Sequence, residues 1–295
     1  MNLHLENINL SSNTGPNSFA NKLVKYATGC SFDTHKQADA HLCFIETNKR
    51  SFNKPLFLRL DGIYVNTAFD FIKQNSNIKR TYHMAKGVIF QSEFAKKLIF
   101  KRFGKHKNSI IIKNGADLAE IKKTEPLNYN KYDNLWTCAS NWRPHKRMSS
   151  NINFFLDNAS KNDGLIVAGH VPENERTLRD NIHYVGNLNQ KQLFALYKKA
   201  KFFIHLASLD CCPNVVVDAR ACGCKIVCTD SGGTIEIAVS EAVILKDLEW
   251  DFEPLDLYNP FTLDFNILSD KKGINSDVDM TNISSRYINF IKENL

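Results

Sequence analysis

The sequence predicts an α/β protein built as two Rossmann-like lobes whose parallel sheets face each other across a cleft. Three observations carry this expectation. Short apolar runs of strand length alternate with amphipathic runs of helical spacing along most of the chain, the pattern of parallel sheets covered by helices on both faces. One polar interval, "KKTEPLNYNKYDN" (122–134), interrupts the alternation. The chain of 295 residues is long enough for two medium domains.

In the first half, "NLHLENI" (2–8) reads as a strand and "SSNTGP" (11–16) as turn material. "SFANKLVKYATG" (18–29) has helical spacing through Phe19, Leu23 and Tyr26, with Gly29 placed to end it. "AHLCFIE" (40–46) and "PLFLRL" (55–60) read as strands, the second running into Asp61-Gly62. "NTAFDFIKQ" and "NIKRTYHMAK" are helical, "GVIFQS" (87–92) is a buried strand, and "EFAKKLIFKRFG" is a helix stopped by Gly104. "NSIIIKNGAD" is a strand opening into a Gly turn. After the polar interval, strands "LWTCAS", "GLIVAG", "IHYVG", "KFFIHLA" and "KIVCTD" interleave with helices near 147–158, 189–200 and 214–222. The expected division is a first lobe over 1–125, a second over 126–275, and a C-terminal helix over 276–295. That helix carries Tyr287, Ile288 and Ile291, which need the surface of one lobe to pack on.

Composition narrows the class. With 43% hydrophobic and 23% charged residues the chain is ordinary globular material. A net charge of +7 favours anionic partners: phosphate groups, nucleic acid or a membrane surface touched peripherally. No run approaches the roughly eighteen apolar residues of a membrane span. "MNLHLENINL" has neither a basic n-region nor an apolar h-region, so a signal peptide is not expected. Eight cysteines without a secretory signal read as thiols in a reducing compartment, and the expected location is the cytoplasm.

The densest stretch is "SLDCCPNVVVDARACGCKIVCTDSGG" (208–233), with five cysteines, three aspartates and a Gly pair. The cysteines do not form the two paired knuckles of a zinc site, and read as small thiols filling a crowded sheet. Ligands in parallel sheets sit beyond the carboxyl ends of strands, where loops lead into helix N-termini. Strand "KFFIHLA" ends at "SLDCCPN", and a helix begins at about Pro213-Asn214. Strand "KIVCTD" ends at "SGGTIE", where Gly232 and Gly233 let the backbone approach a ligand before the next helix. Asp210 lies in the first loop and Asp218 about a turn into its helix. Amides for phosphate and carboxylates for hydroxyls suit a phosphorylated sugar. Taken singly, Asp210 serves equally as a turn cap and Asp218 as a solvated helix residue.

In its order of acid, helix, acid, small residues, strand and Gly pair, the stretch resembles the E-x7-E signature of retaining GT-B glycosyltransferases of the GT4 family (glycosyl transferases group 1). "ASNWRPHKRM" (139–148) resembles that family's basic diphosphate loop after the first strand of the C-terminal lobe. "GVIFQSEFAKKLIFKRFG" with "IIIKNGAD", and the weaker "NTGPNSFANKLVKYA", resemble parts of its N-terminal lobe. The resemblance implies a GT-B fold with a shortened N-terminal, acceptor-side lobe. It implies transfer of a sugar from a nucleotide-diphosphate sugar, UDP- or GDP-linked, with retention and without a metal or other cofactor. The implied acceptor is a glycan, or a lipid-linked or protein-linked group.

Carried over by position, the resemblance gives Arg143 and Lys146 the donor diphosphate, and Arg147 stands beside them as an alternative to Lys146. Asp210 takes hydroxyls of the transferred sugar and Asp218 the ribose. Amides around Gly232, Gly233, Thr234 and the helix start at Asn214 complete the donor contacts, and Gly15 passes near the diphosphate or acceptor. Three departures stand out. Both family glutamates are aspartates, the first lobe is short, and the strand end where the family places a histidine has "RLDG", so that Asp61 holds either that place or a turn.

Two readings of other classes remain open. One is a lobe pair that binds a nucleotide sugar without turnover. The other is a nucleic-acid binder, with six Lys or Arg interleaved with aromatics in "KKLIFKRFGKHK" (96–107). The latter merges with the first reading as a DNA-directed glycosyltransferase.

Overall fold

The computed structural model describes residues 1–12, 14–33 and 37–295. Asn13, within the expected turn at 11–16, lies outside them. The chain divides into two compact units. Unit 1 comprises Met1–Ala116, Phe252–Leu255 and Asp277–Leu295, and unit 2 comprises Asp117–Asp251 and Asp256–Ser276.

Unit 1 holds strands β1 (Asn2–Glu6), β2 (Ser31–Phe32), β3 (Ala40–Phe44), β4 (Leu56–Leu60), β5 (Gly87–Phe90) and β6 (Ser109–Ile111). They form one sheet in the order β2-β1-β3-β4-β5-β6, with every neighbouring pair parallel. Its helices are α1 (Gly15–Tyr26), α2 (Phe71–Met84), α3 (Glu93–Phe103) and the C-terminal α8 (Met280–Glu293). Strand periodicity divides the apolar side chains between two cores. Leu42, Phe44, Phe57 and Ile89 join Phe19 and Leu23 of α1 and Tyr287, Ile288 and Ile291 of α8. Leu56, Leu58, Leu60, Val88 and Phe90 pack instead with Ile78 and Tyr82 of α2 and Ile99 of α3. The expected helical segments at 66–74 and 77–86 are one helix that starts only at Phe71. Asp70 caps it by accepting from the Lys73 amide at 2.9 Å, which leaves "NTAFD" outside. Gly104 ends α3 at φ +89°.

Unit 2 holds α4 (Leu118–Lys123), β7 (Leu135–Ala139), α5 (Met148–Asn158), β8 (Gly164–Ala168) and β9 (Ile182–Gly186). These are followed by α6 (Gln190–Lys199), β10 (Phe202–His205), α7 (Asn214–Ala221), β11 (Lys225–Thr229) and β12 (Val243–Leu245). Its parallel strands run in the order β12-β11-β10-β7-β8-β9. The chain builds outward from β7 in one direction and from β10 in the other, so the order reverses between these two neighbours. A doubly wound sheet has its ligand crevice at that reversal, outside the carboxyl ends of the two strands. Trp136 anchors the centre of the unit by stacking on Phe202 at 4.0 Å and donating from Nε1 to Asp163 at 3.0 Å. The helix expected after the Gly pair is a single 3-10 turn, Thr234–Glu236. Among the described residues, no helix is long and apolar enough to cross a membrane.

Candidate functional site

The loops leaving β7 and β10 meet at the reversal of unit 2. After β7 the chain runs to Arg143, makes one 3-10 turn over Pro144–Lys146, and enters α5 through Arg147. Arg147 is left-handed (φ +50°, ψ +53°), an uncommon conformation for a side chain of this size. Its guanidinium accounts for the placement, turning inward to donate to both Asp247 oxygens at 2.6 and 3.0 Å. Asn151 secures the same turn, donating to the Lys146 and Arg147 carbonyls at 3.0 and 2.6 Å and accepting from the Leu206 amide at 3.1 Å. The Ser208 amide donates to the His145 carbonyl at 2.8 Å and ties the two loops together.

On this frame the Lys146 ammonium donates to Asp210 Oδ2, and His205, the last residue of β10, lies 3.3 Å from the same oxygen. Burial pushes the Asp210 carboxyl up, but Lys146 and His205 outweigh it and hold the group well below the usual carboxylate range. Asp210 is therefore ionised, and its contact with His205 requires the proton on Nε2. Burial lowers His205 against the opposing pull of Asp210, which keeps the ring neutral at neutral pH. His145 is pushed down to about 4 by burial and then by Lys146, with Asp210 opposing.

The loop after β11 closes on Asp210 from the other side. Gly232 has φ +79°, and a Cβ there would lie 2.6 Å from the Asp210 carbonyl oxygen and 2.8 Å from its amide nitrogen. Glycine is thus required for backbone approach to Asp210 itself. The Gly233 amide donates to the Asp210 carbonyl at 2.7 Å, so it is already committed within the protein. Thr234 Oγ1 is fully buried and has no hydrogen-bond partner among the described residues.

The remaining expected residues are distributed unevenly. Arg143 is exposed on the same loop as Lys146, and Asn214 is the half-buried first residue of α7. Asp218 is half-buried in α7 and adds its charge to the burial that raises the Tyr197 hydroxyl and the Cys222 thiol, the latter to about 12. Gly15 opens α1 in unit 1, followed by Pro16. Asp61, also in unit 1, pairs with the fully buried Arg59. All eight cysteines are free thiols, and burial raises Cys228 to about 12, with Cys224 and Cys138 higher still. Such thiols stay protonated and unreactive.

Sequence reasoning missed His205 and His145. The first had a signal, a lone polar ring ending the apolar strand "KFFIH" five residues before Asp210. The second sat unremarked between Arg143 and Lys146.

Residues 129–248 match the family model described as glycosyl transferases group 1. The chain is similar in fold to HepE from Anabaena, solved in complex with UDP-glucose, at 14% identity and TM-score 0.64, covering 83% of this chain and 85% of that one. It is similar to sucrose-phosphate synthase from Thermosynechococcus elongatus at 12% identity and TM-score 0.67, covering 83% and 86%. It is also similar to WaaG, a glycosyltransferase involved in lipopolysaccharide biosynthesis, at 10% identity and TM-score 0.63, again covering 83% and 86%. No curated protein matches the chain in sequence. The chain has the GT-B fold, and its second unit carries the match to the group 1 glycosyl transferases.

Proposed function

We propose that this protein is a retaining glycosyltransferase that moves a sugar from a nucleotide-diphosphate donor to an acceptor hydroxyl without a catalytic metal. The observation that carries the proposal is the Lys146–Asp210–His205 cluster at the strand-order reversal of unit 2. A nucleotide diphosphate is already a good leaving group, so the protein's task is to stabilise negative charge on the departing phosphate and to keep water out. Lys146 is suited to the first task. Its ammonium is held in place by a pinned loop, and its side chain is 19% exposed, so an incoming phosphate can take it over from Asp210. Arg143, exposed on the same loop, adds a bidentate fork. Asp210, kept ionised, then accepts from hydroxyls of the transferred sugar, with neutral His205 orienting it. Asp218 takes the ribose, and amides near Asn214, Gly232 and Thr234, with the Thr234 hydroxyl, line the donor. In this reading Arg147 holds the loop and does not touch the diphosphate, because both its terminal nitrogens already donate to Asp247. The departing phosphate takes the acceptor's proton on the same face, so no protein nucleophile is needed and configuration is retained.

UDP-glucose bound by a protein of the same fold makes a UDP-sugar the first donor to try. The acceptor class is a glycan or a lipid- or protein-linked group. The nucleic-acid reading loses ground because Lys101 and Arg102 of the basic stretch each pair with Glu253 at 2.9 Å.

The test is a thermal-shift panel of UDP, GDP, ADP and CDP on the wild type and on Asp218→Ala. A nucleotide at about a hundred times its Kd adds roughly 2.7 kcal/mol, which is several degrees for a chain of this size. One base shifting the wild type but hardly the variant supports the donor site. No shift from any nucleotide sinks it.

A further inference from the structure

A second cluster of chemistry-bearing side chains lies in unit 1 and plays no part in the donor reading. His4 of β1 is the register partner of His41 on β3, and Glu6 lies two residues beyond His4, so strand periodicity places all three on one face. The ligating atoms of His4, Glu6 and His41 lie within 4.8 Å of one another. Glu6 Oε1 is 3.5 Å from His4 Nε2 and 3.4 Å from His41 Nδ1. Tetrahedral Zn2+ has bonds of about 2.0–2.2 Å to imidazole and carboxylate, which sets its ligand–ligand edges at about 3.3–3.5 Å. The two separations match those edges.

The surroundings orient the group for a cation. His4 Nδ1 lies 2.9 Å from the Asp33 carbonyl oxygen, which can only accept, so Nδ1 carries a proton and Nε2, on the Glu6 side, is the nitrogen a metal would take. A metal-bound histidine is held in the same way, its second nitrogen donating to a carbonyl. Positive charge between Nε2 and the Glu6 carboxylate, a metal ion or a proton on Nε2, satisfies both groups. Lys49 supplies some from outside, its ammonium 2.5 Å from Glu6 Oε1 on a side chain 39% exposed and able to swing away. Glu6 and His41 are 7% and 0% exposed, and the Phe52 ring packs 4.8 Å from His41, so the inner side of the group is dry.

We propose that His4, Glu6 and His41 form a binding site for one divalent transition-metal ion of the Zn2+ class, which ties β1 to β3 near the edge of the first sheet. Two imidazoles and one carboxylate suit Zn2+ over Mg2+ or Ca2+, and three protein ligands leave the fourth corner to water on the Lys49 side. Lys49 and the metal compete for Glu6.

The test uses the full chain, stripped with a chelator and dialysed, then titrated with Co2+ and with Zn2+. The expected result is one ion per chain, with Co2+ giving the visible absorption of a tetrahedral site and Zn2+ displacing it. His4→Ala should weaken binding by at least the ~10–100-fold that loss of even an outer partner costs. Lys49→Met should tighten it, because the competing ammonium is gone. Absence of saturable one-to-one binding by the wild type overturns the proposal. So does binding that His4→Ala leaves unchanged, or a Lys49→Met chain that melts lower and gains no affinity, which would mark the cluster as a plain ion pair. Both variants alter side chains that reach solvent, so the test does not depend on changing buried Glu6 or His41, and cooperative thermal unfolding of each metal-free chain serves as the folding control.

Discussion

Each sheet has a cation–aspartate pair at the carboxyl ends of its central strands, and the two pairs are built differently. At the end of β4, Arg59 is fully buried with its guanidinium 4.2 Å over Phe19 and 5.4 Å over Phe44, and it donates to Asp61 and, at 2.9 Å, to Asn114. Where the loops after β7 and β10 meet, Lys146 and Asp210 are 19% and 15% exposed. A flat, stacked guanidinium with its fork filled belongs to the core, whereas an ammonium on a flexible stem at a crevice can exchange one anion for another. Similar charge chemistry thus serves stability in unit 1 and, in our reading, ligand binding in unit 2.

The comparison breaks first at Arg59. Arg59→Ala takes the guanidinium from Asp61, removes one of the bonds of Asn114 and empties the space over Phe19, so it should cost about 3–5 kcal/mol, roughly 6–20 °C in Tm. Thermal unfolding checks this, and a change of only a degree or two would show that the pair is not part of the core. Lys146→Ala comes next and should behave in the opposite manner. Turnover with a UDP-sugar should fall by about 10²–10³ while Tm falls less than in Arg59→Ala, since Asp210 keeps His205 as a partner and still reaches solvent. If Lys146→Ala melts as Arg59→Ala does, the two pairs are of one kind.

The smallest effect lies in pH. His145 has a folded value of about 4 against an ordinary 6.5, so between these values the unfolded chain binds the extra proton. The corresponding stability is complete above about pH 6.5 and is lost as pH falls toward 4, on the order of 3 kcal/mol at most. Denaturation midpoints between pH 4 and 7 should therefore slope less steeply in His145→Gln. Part of the slope should remain, because His205 is held below its ordinary value in the same cluster. A slope unchanged by the substitution would remove His145 from the buried, neutral state assigned to it.

Much of the fold was legible because its physical cause is local. Buried strands of a parallel sheet must be short and apolar, so "AHLCF", "LFLRL", "GLIVA" and "KIVCT" stand out against their amphipathic neighbours. The two-residue β2 and three-residue β12 did not, because runs that short have no period to read. The one-turn helix after Gly233 also escaped, since a Gly pair signals close backbone approach but says nothing of the length of the next helix.

The candidate site divides along the same line. The sequence by itself determined that basic and acidic residues stand in loops just after strands, because the order of strand, loop and helix puts them there, whereas the neighbouring of β7 and β10 comes from the sheet order. It could not separate Lys146 from Arg147. The tertiary structure gives the two different partners: Asp247, a hundred residues further on, takes the terminal nitrogens of Arg147, whereas Lys146 faces Asp210. His4, Glu6 and His41 obey the same rule, since their meeting depends on the register of β1 against β3. Local patterning is written in the order of residues, whereas partner choice depends on contacts across long sequence separations that only the packed sheets create.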